Sequence, residues 1–308
     1  MNIAEIITPL IFIASLGYFF AKTQWLSKNQ LDGLSKFTFN LTIPAFLFYK
    51  MATAKLDHSL SFGFFLAFYL PVLSCYLIAW LINQYFHSRY NNNSAASAVF
   101  ALGSSYSNNI IVGLPILLVL YGEQSMVLIF AIVTFHSALL FTLTSLLNRE
   151  KSTTSWIKSL LKTFNNPLLF SIFAGALFNL FGMVLPEFID ESLQLLGKPA
   201  ITLALFILGA SLTFYSLKSE LKFVTIAATI KLLILPMLVY IAASQVFNLT
   251  TIQLNTLVIL SACPTGVNAY LVAKNFTYHE KTVASTVVVT TILATISLPL
   301  WLWFLTTS

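Results

Sequence analysis

The chain has 308 residues, of which 58% are hydrophobic and 8% are charged, and its mean hydropathy is +0.86. Soluble globular proteins carry about 25% charged residues, so this composition excludes a water-soluble monomer. Apolar runs of about 20 residues, the length that crosses a bilayer as a helix, recur between short polar joins.

We predict ten membrane-spanning helices, which use nearly the whole chain and leave no room for a soluble catalytic domain. The first run is predicted to be a span and not a cleaved signal, because no Lys or Arg precedes it and it contains Glu5. The predicted spans, in chain order, are 3–21, 35–52, 60–86, 94–120, 125–147, 166–185, 195–214, 223–246, 252–274 and 282–305.

The net charge of +6 is explained by membrane topology and does not indicate a nucleic-acid partner. With the amino terminus outside, twelve of the sixteen basic residues fall in inward joins, three in outward joins and one within a span. Basic residues accumulate on the cytoplasmic side. We therefore expect a multi-pass protein of the inner or plasma membrane with both termini outside.

The longest polar join, 148–165, is predicted to be cytoplasmic and divides a single membrane domain into two five-helix halves, 1–147 and 166–308. Pro9 and Gly17 in the first half match Pro167 and Gly175 in the second at a constant offset of 158 residues. A second match pairs Pro44-Ala45 with Pro199-Ala200. Because each half has an odd number of spans, the halves would be inverted repeats, as in many secondary transporters. The alternative is an old duplication without functional consequence.

Spans four and nine are predicted to be interrupted at corresponding depths. Span four carries GSSYSNN at 103–109 and then reaches Pro115, and span nine carries SACPTGVN at 261–268. A backbone broken in hydrocarbon leaves unpaired amide and carbonyl groups, so the break must be buried in protein or line a wet cavity. Paired interruptions of this kind are the best sequence indicator of a binding site at the membrane midplane.

The residues around these interruptions suit a bound anion. Pro115 and Pro264 are compatible with the first turn of a half-helix, so the half-helix after each interruption would begin near the midplane with its positive end there. The side-chain amides of Asn108, Asn109 and Asn268 can donate to an anion. The alternative is a kinked structural helix whose Asn side chains bond to neighbouring backbone. The candidate substrate-binding residues are Asn108, Asn109, Pro115, His136, Pro264, Thr265 and Asn268.

Two ionisable residues lie at membrane depth. His136, near the middle of span five, could relay a proton, donate a hydrogen bond to substrate or simply pack. Lys231 lies within side-chain reach of the inner headgroups, so it is interpreted as a snorkelling anchor or as a functional charge. Cys75 and Cys263 fall within spans and are expected to be free and buried. No motif indicates a metal site or a cofactor.

Several ordered motifs resemble the auxin efflux carrier family, which comprises the plant PIN proteins and bacterial relatives. The resemblance covers nearly the whole chain and lies in 36–48, 108–115, 121–123, 166–167, Lys231 with Pro236, 262–268 and 273–274. It implies an all-α fold of two inverted five-helix repeats with broken, crossing helices four and nine. It further implies a scaffold of spans one, two, six and seven, often dimeric, and a moving transport domain. The 148–165 join is far shorter than the regulatory loop of plant members, and auxin itself is not implied.

The leading hypothesis is therefore a secondary transporter that moves a small organic anion, a carboxylate, by alternating access of the elevator or rocking kind. The alternative is a passive channel or a membrane ligand sensor on the same fold. An enzyme is not expected, because Ser104, Ser105 or Cys263 beside His136 would lack a further group to orient the base.

Overall fold

The computed structural model describes residues 3–54, 60–87, 94–147, 166–215 and 221–307. Within those ranges the secondary structure is helical. The described residues form no β-sheet, and Ser107 and Thr265 pair as an isolated β-bridge. The predicted all-α fold is confirmed for this part of the chain. The 148–165 join lies outside the described residues.

The first half of the sequence forms helices α1 to α7. They are α1 (Ile3–Lys22), α2 (Lys28–Phe37), α3 (Ile43–Ala52), α4 (Phe62–His87), α5 (Ser94–Ser105), α6 (Leu114–Tyr121) and α7 (Met126–Leu147). A π-helical turn, Thr38–Thr42, joins α2 to α3 without a break, and a second one, Asn109–Gly113, leads into α6. A 3₁₀ turn, Gly122–Ser125, connects α6 to α7.

The second half forms helices α8 to α15. They are α8 (Pro167–Leu180), α9 (Glu187–Gly197), α10 (Ala200–Ser211), α11 (Leu221–Thr229), α12 (Leu235–Ile241), α13 (Thr251–Ala262), α14 (Val267–Phe276) and α15 (Glu280–Thr307). The π-helical turn Ile230–Ile234 joins α11 to α12. Capping boxes stop two helices from fraying: Ser27 with Gln30 begins α2, and Thr250 with Gln253 begins α13.

Five helices of the described chain are long and apolar enough to cross a membrane: Phe62–Phe86, Asn109–Leu147, Glu187–Phe214, Leu221–Val246 and Glu280–Thr307. Four further apolar helices are shorter. Two of these, α5 and α13, are short because they end at the interruptions predicted in spans four and nine. The protein is thus a polytopic helical membrane protein, and the count of ten spans stays a prediction.

The chain folds into two compact units, and each takes segments from both halves of the sequence. Unit 1 contains 1–57, 115–134 and 161–214, and unit 2 contains 58–114, 135–160 and 215–308. The compact units therefore do not coincide with the halves 1–147 and 166–308, and the boundary between these halves stays a prediction.

Glycines allow two helix pairs of unit 1 to approach until their backbones touch. A Cβ atom on Gly17 of α1 would overlap the carbonyl oxygen of Phe206 on α10. A Cβ atom on Gly175 of α8 would lie 2.6 Å from the carbonyl oxygen of Phe48 on α3. Gly175 follows Gly17 by 158 residues, and Phe206 follows Phe48 by the same number. In each contact the glycine of one half thus meets the phenylalanine of the other half, and the two contacts are related by the same offset.

Some buried polar groups of unit 2 bind each other across helices, as expected of polar groups in hydrocarbon. The Tyr76 hydroxyl contacts the Ala98 carbonyl oxygen at 3.1 Å and the Thr144 hydroxyl at 3.0 Å, which ties α4 to α5 and α7. Cys75 and Cys263 are free and buried, as predicted.

Gly17→Ala and Gly175→Ala are both expected to lower the melting temperature of the detergent-solubilised protein, because each added methyl group meets backbone that cannot move aside. Overpacking of this kind costs about 1–3 kcal/mol. Gly33→Ala is the control, because a Cβ atom at Gly33 has nothing within 4 Å and alanine favours a helix by about 1 kcal/mol over glycine. Equal melting temperatures for all three variants would contradict the close approach.

Candidate binding site at the paired helix interruptions

Both predicted interruptions are present. Helix α5 ends at Ser105, and helical structure resumes at Asn109 after Asn108, whose φ and ψ of −83° and 64° are not helical. Helix α13 ends at Ala262, and α14 begins at Val267. Extended backbone lies between them, with ψ of 148° at Cys263 and 140° at Gly266.

The two interruptions satisfy each other's backbone hydrogen bonds. The Asn108 N–H donates to the Pro264 carbonyl oxygen at 2.9 Å, and the Gly266 N–H donates to the Tyr106 carbonyl oxygen at 3.0 Å. Ser107 and Thr265 lie opposite each other between these bonds as an antiparallel pair. Each residue of the second segment follows its counterpart in the first by 158 residues, so the two bonds are exchanged between the halves.

The central N–H group of each interruption is bound by a side chain from the following long helix. The Ser107 N–H donates to His136 Nε2 on α7 at 3.0 Å. The Thr265 N–H donates to the Thr290 hydroxyl on α15 at 3.0 Å. The Thr265 hydroxyl in turn donates to the Gly103 carbonyl oxygen at 2.9 Å. Every one of these groups would otherwise be an unpaired dipole in a low-dielectric interior.

His136 is held in one orientation by this contact. Its ring stacks on Tyr106 with a centroid distance of 5.0 Å and an interplanar angle of 19°. Because Nε2 accepts a backbone hydrogen bond, we assign the neutral imidazole with its proton on Nδ1. His136 therefore completes the interruption, and its Nδ1 remains as a buried donor without a partner in the described chain.

Further buried polar atoms around the first interruption also lack partners among the described residues. They are Asn108 Nδ2, Asn109 Nδ2 and Oδ1, and Ser107 Oγ. Asn108 is 6% exposed and Asn109 is 4% exposed. An unsatisfied buried polar group costs about 1–3 kcal/mol, so these atoms are suited to a polar ligand. Asn268 joins the same cluster, because its Nδ2 donates to the Tyr106 hydroxyl at 3.4 Å.

Comparison with known proteins identifies the family. Residues 2–302 match the model of the family described as membrane transport protein. The chain belongs to this family. The resemblance to the auxin efflux carriers is thereby confirmed, since they are members of the same family.

Relatives in this membrane transport protein family align over almost the full chain. "Uncharacterized transporter YfdV" of Escherichia coli K12 is 22% identical over 96% of this chain and 95% of its own length. A protein of Rhizobium meliloti named "Putative malonate transporter" is 22% identical over 95% of this chain and 92% of its own length. An "Uncharacterized transporter" of Methanothermobacter thermautotrophicus is 24% identical over 98% of both chains. These names indicate transporters rather than enzymes.

Six of the seven candidate residues of this family member lie in unit 2: Asn108, Asn109, His136, Pro264, Thr265 and Asn268. Pro115 belongs to unit 1 and is not part of the cluster described above.

The predicted position of the two prolines at helix starts is wrong. Pro264 lies in the extended segment before α14, where its carbonyl oxygen accepts from Asn108. Pro115 is the second residue of α6, but helical structure already begins at Asn109. The helix starts are fixed by the pairing of the two interruptions, which the proline positions alone do not reveal.

The interpretation of Lys231 as a snorkelling anchor is also wrong. Lys231 has no exposed surface, and its Nζ donates to the Ser261 carbonyl oxygen at 2.5 Å. Ser261 is in the last turn of α13, where carbonyl groups lack intrahelical partners.

Sequence reasoning also missed Ser107, Tyr106 and Thr290 as parts of the site. The offset of 158 residues would have paired Ser107 with Thr265, but no sequence signal identifies Thr290.

His136→Leu is expected to lower the free energy of unfolding by about 1–3 kcal/mol, because the buried Ser107 N–H loses its acceptor. His136→Gln retains an acceptor and should lose less. At the other interruption, Thr290→Val removes the hydroxyl that accepts from the Thr265 N–H and should lower the free energy of unfolding more than Thr290→Ser, which keeps a hydroxyl. Thermal unfolding in detergent measures all four variants, and wild-type stability of His136→Leu would contradict this role.

Proposed function

We propose that this membrane transport protein is a secondary transporter that moves a small organic anion, a carboxylate, by alternating access through the paired interruptions at the membrane midplane. The observation that carries the proposal is the cluster of buried amide groups without partners beside two helix starts. A structural kink would leave no reason to bury Asn109 with both amide atoms unpaired.

The chemistry of the cluster favours a carboxylate. Asn108 and Asn109 present amide donors, and His136 presents an Nδ1 donor. The first N–H groups of a helix have no intrahelical partner and carry a partial positive charge, and α14 begins directly after Gly266. No Asp or Glu is among the buried residues of the described chain, so no fixed negative charge repels the ligand. The name of the Rhizobium relative also supports a small carboxylate.

The exchanged contacts support two inverted five-helix repeats and, with them, ten spans. The same offset of 158 residues relates the glycine contacts of unit 1 and the backbone pairing of unit 2. The bridge between Ser107 and Thr265 is antiparallel, so the two interrupted segments run in opposite directions. Opposite directions follow when each half has an odd number of spans.

The division into compact units supports an elevator motion in which unit 2 carries the substrate. Unit 1 contains predicted spans one, two, six and seven, which the family resemblance assigns to the scaffold, and the interruptions lie in unit 2. The segment 115–134 departs from that expectation, because it belongs to unit 1. We propose that the scaffold forms a homodimer in the inner or plasma membrane, with both termini outside and the 148–165 join in the cytoplasm.

Proteoliposomes containing the protein are expected to take up or release labelled malonate or another small mono- or dicarboxylate. Asn108→Ala, Asn109→Ala and Asn268→Ala should each reduce the flux by about 10- to 100-fold, since a hydrogen bond to a charged ligand contributes about 1.5–3 kcal/mol. Asn275→Ala is the matched control, because Asn275 is an exposed residue of the same helix as Asn268.

Planar-bilayer recording separates this function from the channel and sensor alternatives. A transporter shows saturable flux without unitary currents. Unitary currents would support a channel, and ligand binding without any flux would support a sensor. Full activity of all three Asn variants would overturn the assignment of the site.

A further inference from the structure

Lys231 is a fully buried charge beside the second interruption. It lies in the π-helical turn between α11 and α12, and its ammonium donates to the carbonyl oxygen of Ser261. It is the one Lys, Arg, Asp or Glu among the buried residues of the described chain. An ionisable residue at membrane depth is costly and is usually retained for function.

The position of the ammonium is the one that suits a coupling cation. Ser261 lies in the last turn of α13, and the carbonyl groups at a helix end carry a partial negative charge. In transporters with broken helices, such half-helix ends and the adjoining unwound carbonyls coordinate the coupling ion. Here a side chain of the protein supplies the positive charge at that place.

The other half of the chain satisfies the equivalent carbonyl without a charge. Gly103 precedes Ser261 by 158 residues, and its carbonyl oxygen accepts from the Thr265 hydroxyl. The hydroxyl equivalent to that of Thr265 is Ser107 Oγ, which is buried and has no partner in the described chain. Leu73 occupies the position equivalent to Lys231. The chain thus has a neutral hydroxyl at the position equivalent to Thr265, so the repeat offers a way to pair the Ser261 carbonyl that needs no buried lysine.

We infer that the Lys231 ammonium is a built-in cation of the transport cycle: it takes the place of a sodium ion at the end of α13 and offsets the charge of the bound carboxylate. This inference rests on the proposed function. Transport would then require no sodium, because the cation is covalently attached and returns with unit 2 after each cycle. The cycle would also require the positive charge and not only the volume of the side chain.

The test is malonate flux into proteoliposomes, measured in sodium and in N-methylglucamine buffers of equal ionic strength. Wild-type flux should be equal in the two buffers. Lys231→Met keeps the volume of the side chain without its charge. Its flux should be about tenfold lower, the fold-change that corresponds to the free energy of a charge at a partly buried helix end. Lys231→Ala should lose as much, and sodium or methylammonium should restore part of its flux by entering the space vacated. Lys222→Met is the control, because Lys222 is exposed near the start of α11.

The melting temperatures of Lys231→Met and Lys231→Ala check that both variants fold. A strict sodium requirement of the wild type would overturn the inference, and this result needs no variant. Wild-type flux through Lys231→Met would also overturn it, as would a failure of every small cation to restore Lys231→Ala. Absence of flux of any carboxylate in the wild type would instead overturn the proposed function and the inference together.

Discussion

The need to pair every backbone dipole in hydrocarbon governs this fold. A helix that stops in the membrane exposes amide and carbonyl groups that no water can satisfy. Here two helices stop. Two hydrogen bonds between the segments 106–108 and 264–266 pair backbone groups of one interruption with those of the other. His136 and Thr290 then bind the central N–H groups. Neither interruption would be tolerated alone, so the site exists only because the chain contains both.

The two halves of the chain make equivalent backbone contacts but carry different polar side chains. The glycine contacts of unit 1 and the pairing of the interruptions in unit 2 follow one offset of 158 residues. Two of the polar side chains do not follow it, because Asn108 has Gly266 as its counterpart and Lys231 has Leu73. A symmetric frame thus carries an asymmetric set of donors and one fixed charge. This asymmetry is what we expect of a site that binds one small, polar ligand.

Hydropathy was sufficient to predict the helical fold, and polar residues in the middle of apolar runs were sufficient to predict both interruptions. These features are local, because a run such as 103–109 has no apolar face to present to lipid. The errors concern Pro264, Pro115 and Lys231, and those at Pro264 and Lys231 share one cause. Pro264 is positioned by Asn108, and Lys231 is positioned by Ser261. These partners are far away in sequence, so composition and spacing do not show them.

The most direct test of the account is a disulfide between the two interruptions, formed by Ser107→Cys and Thr265→Cys in a Cys75→Ala, Cys263→Ala background. Residues that face each other in such an antiparallel pair have Cα atoms about 4.5 Å apart, within the range of a disulfide. A protease site inserted in the 148–165 join then reports the link on a gel. The account predicts that mild oxidation in the membrane keeps the two fragments together until reductant is added, whereas a Ser107→Cys, Asn275→Cys pair does not. Separation of the fragments of the first pair without reductant would contradict the pairing of the interruptions.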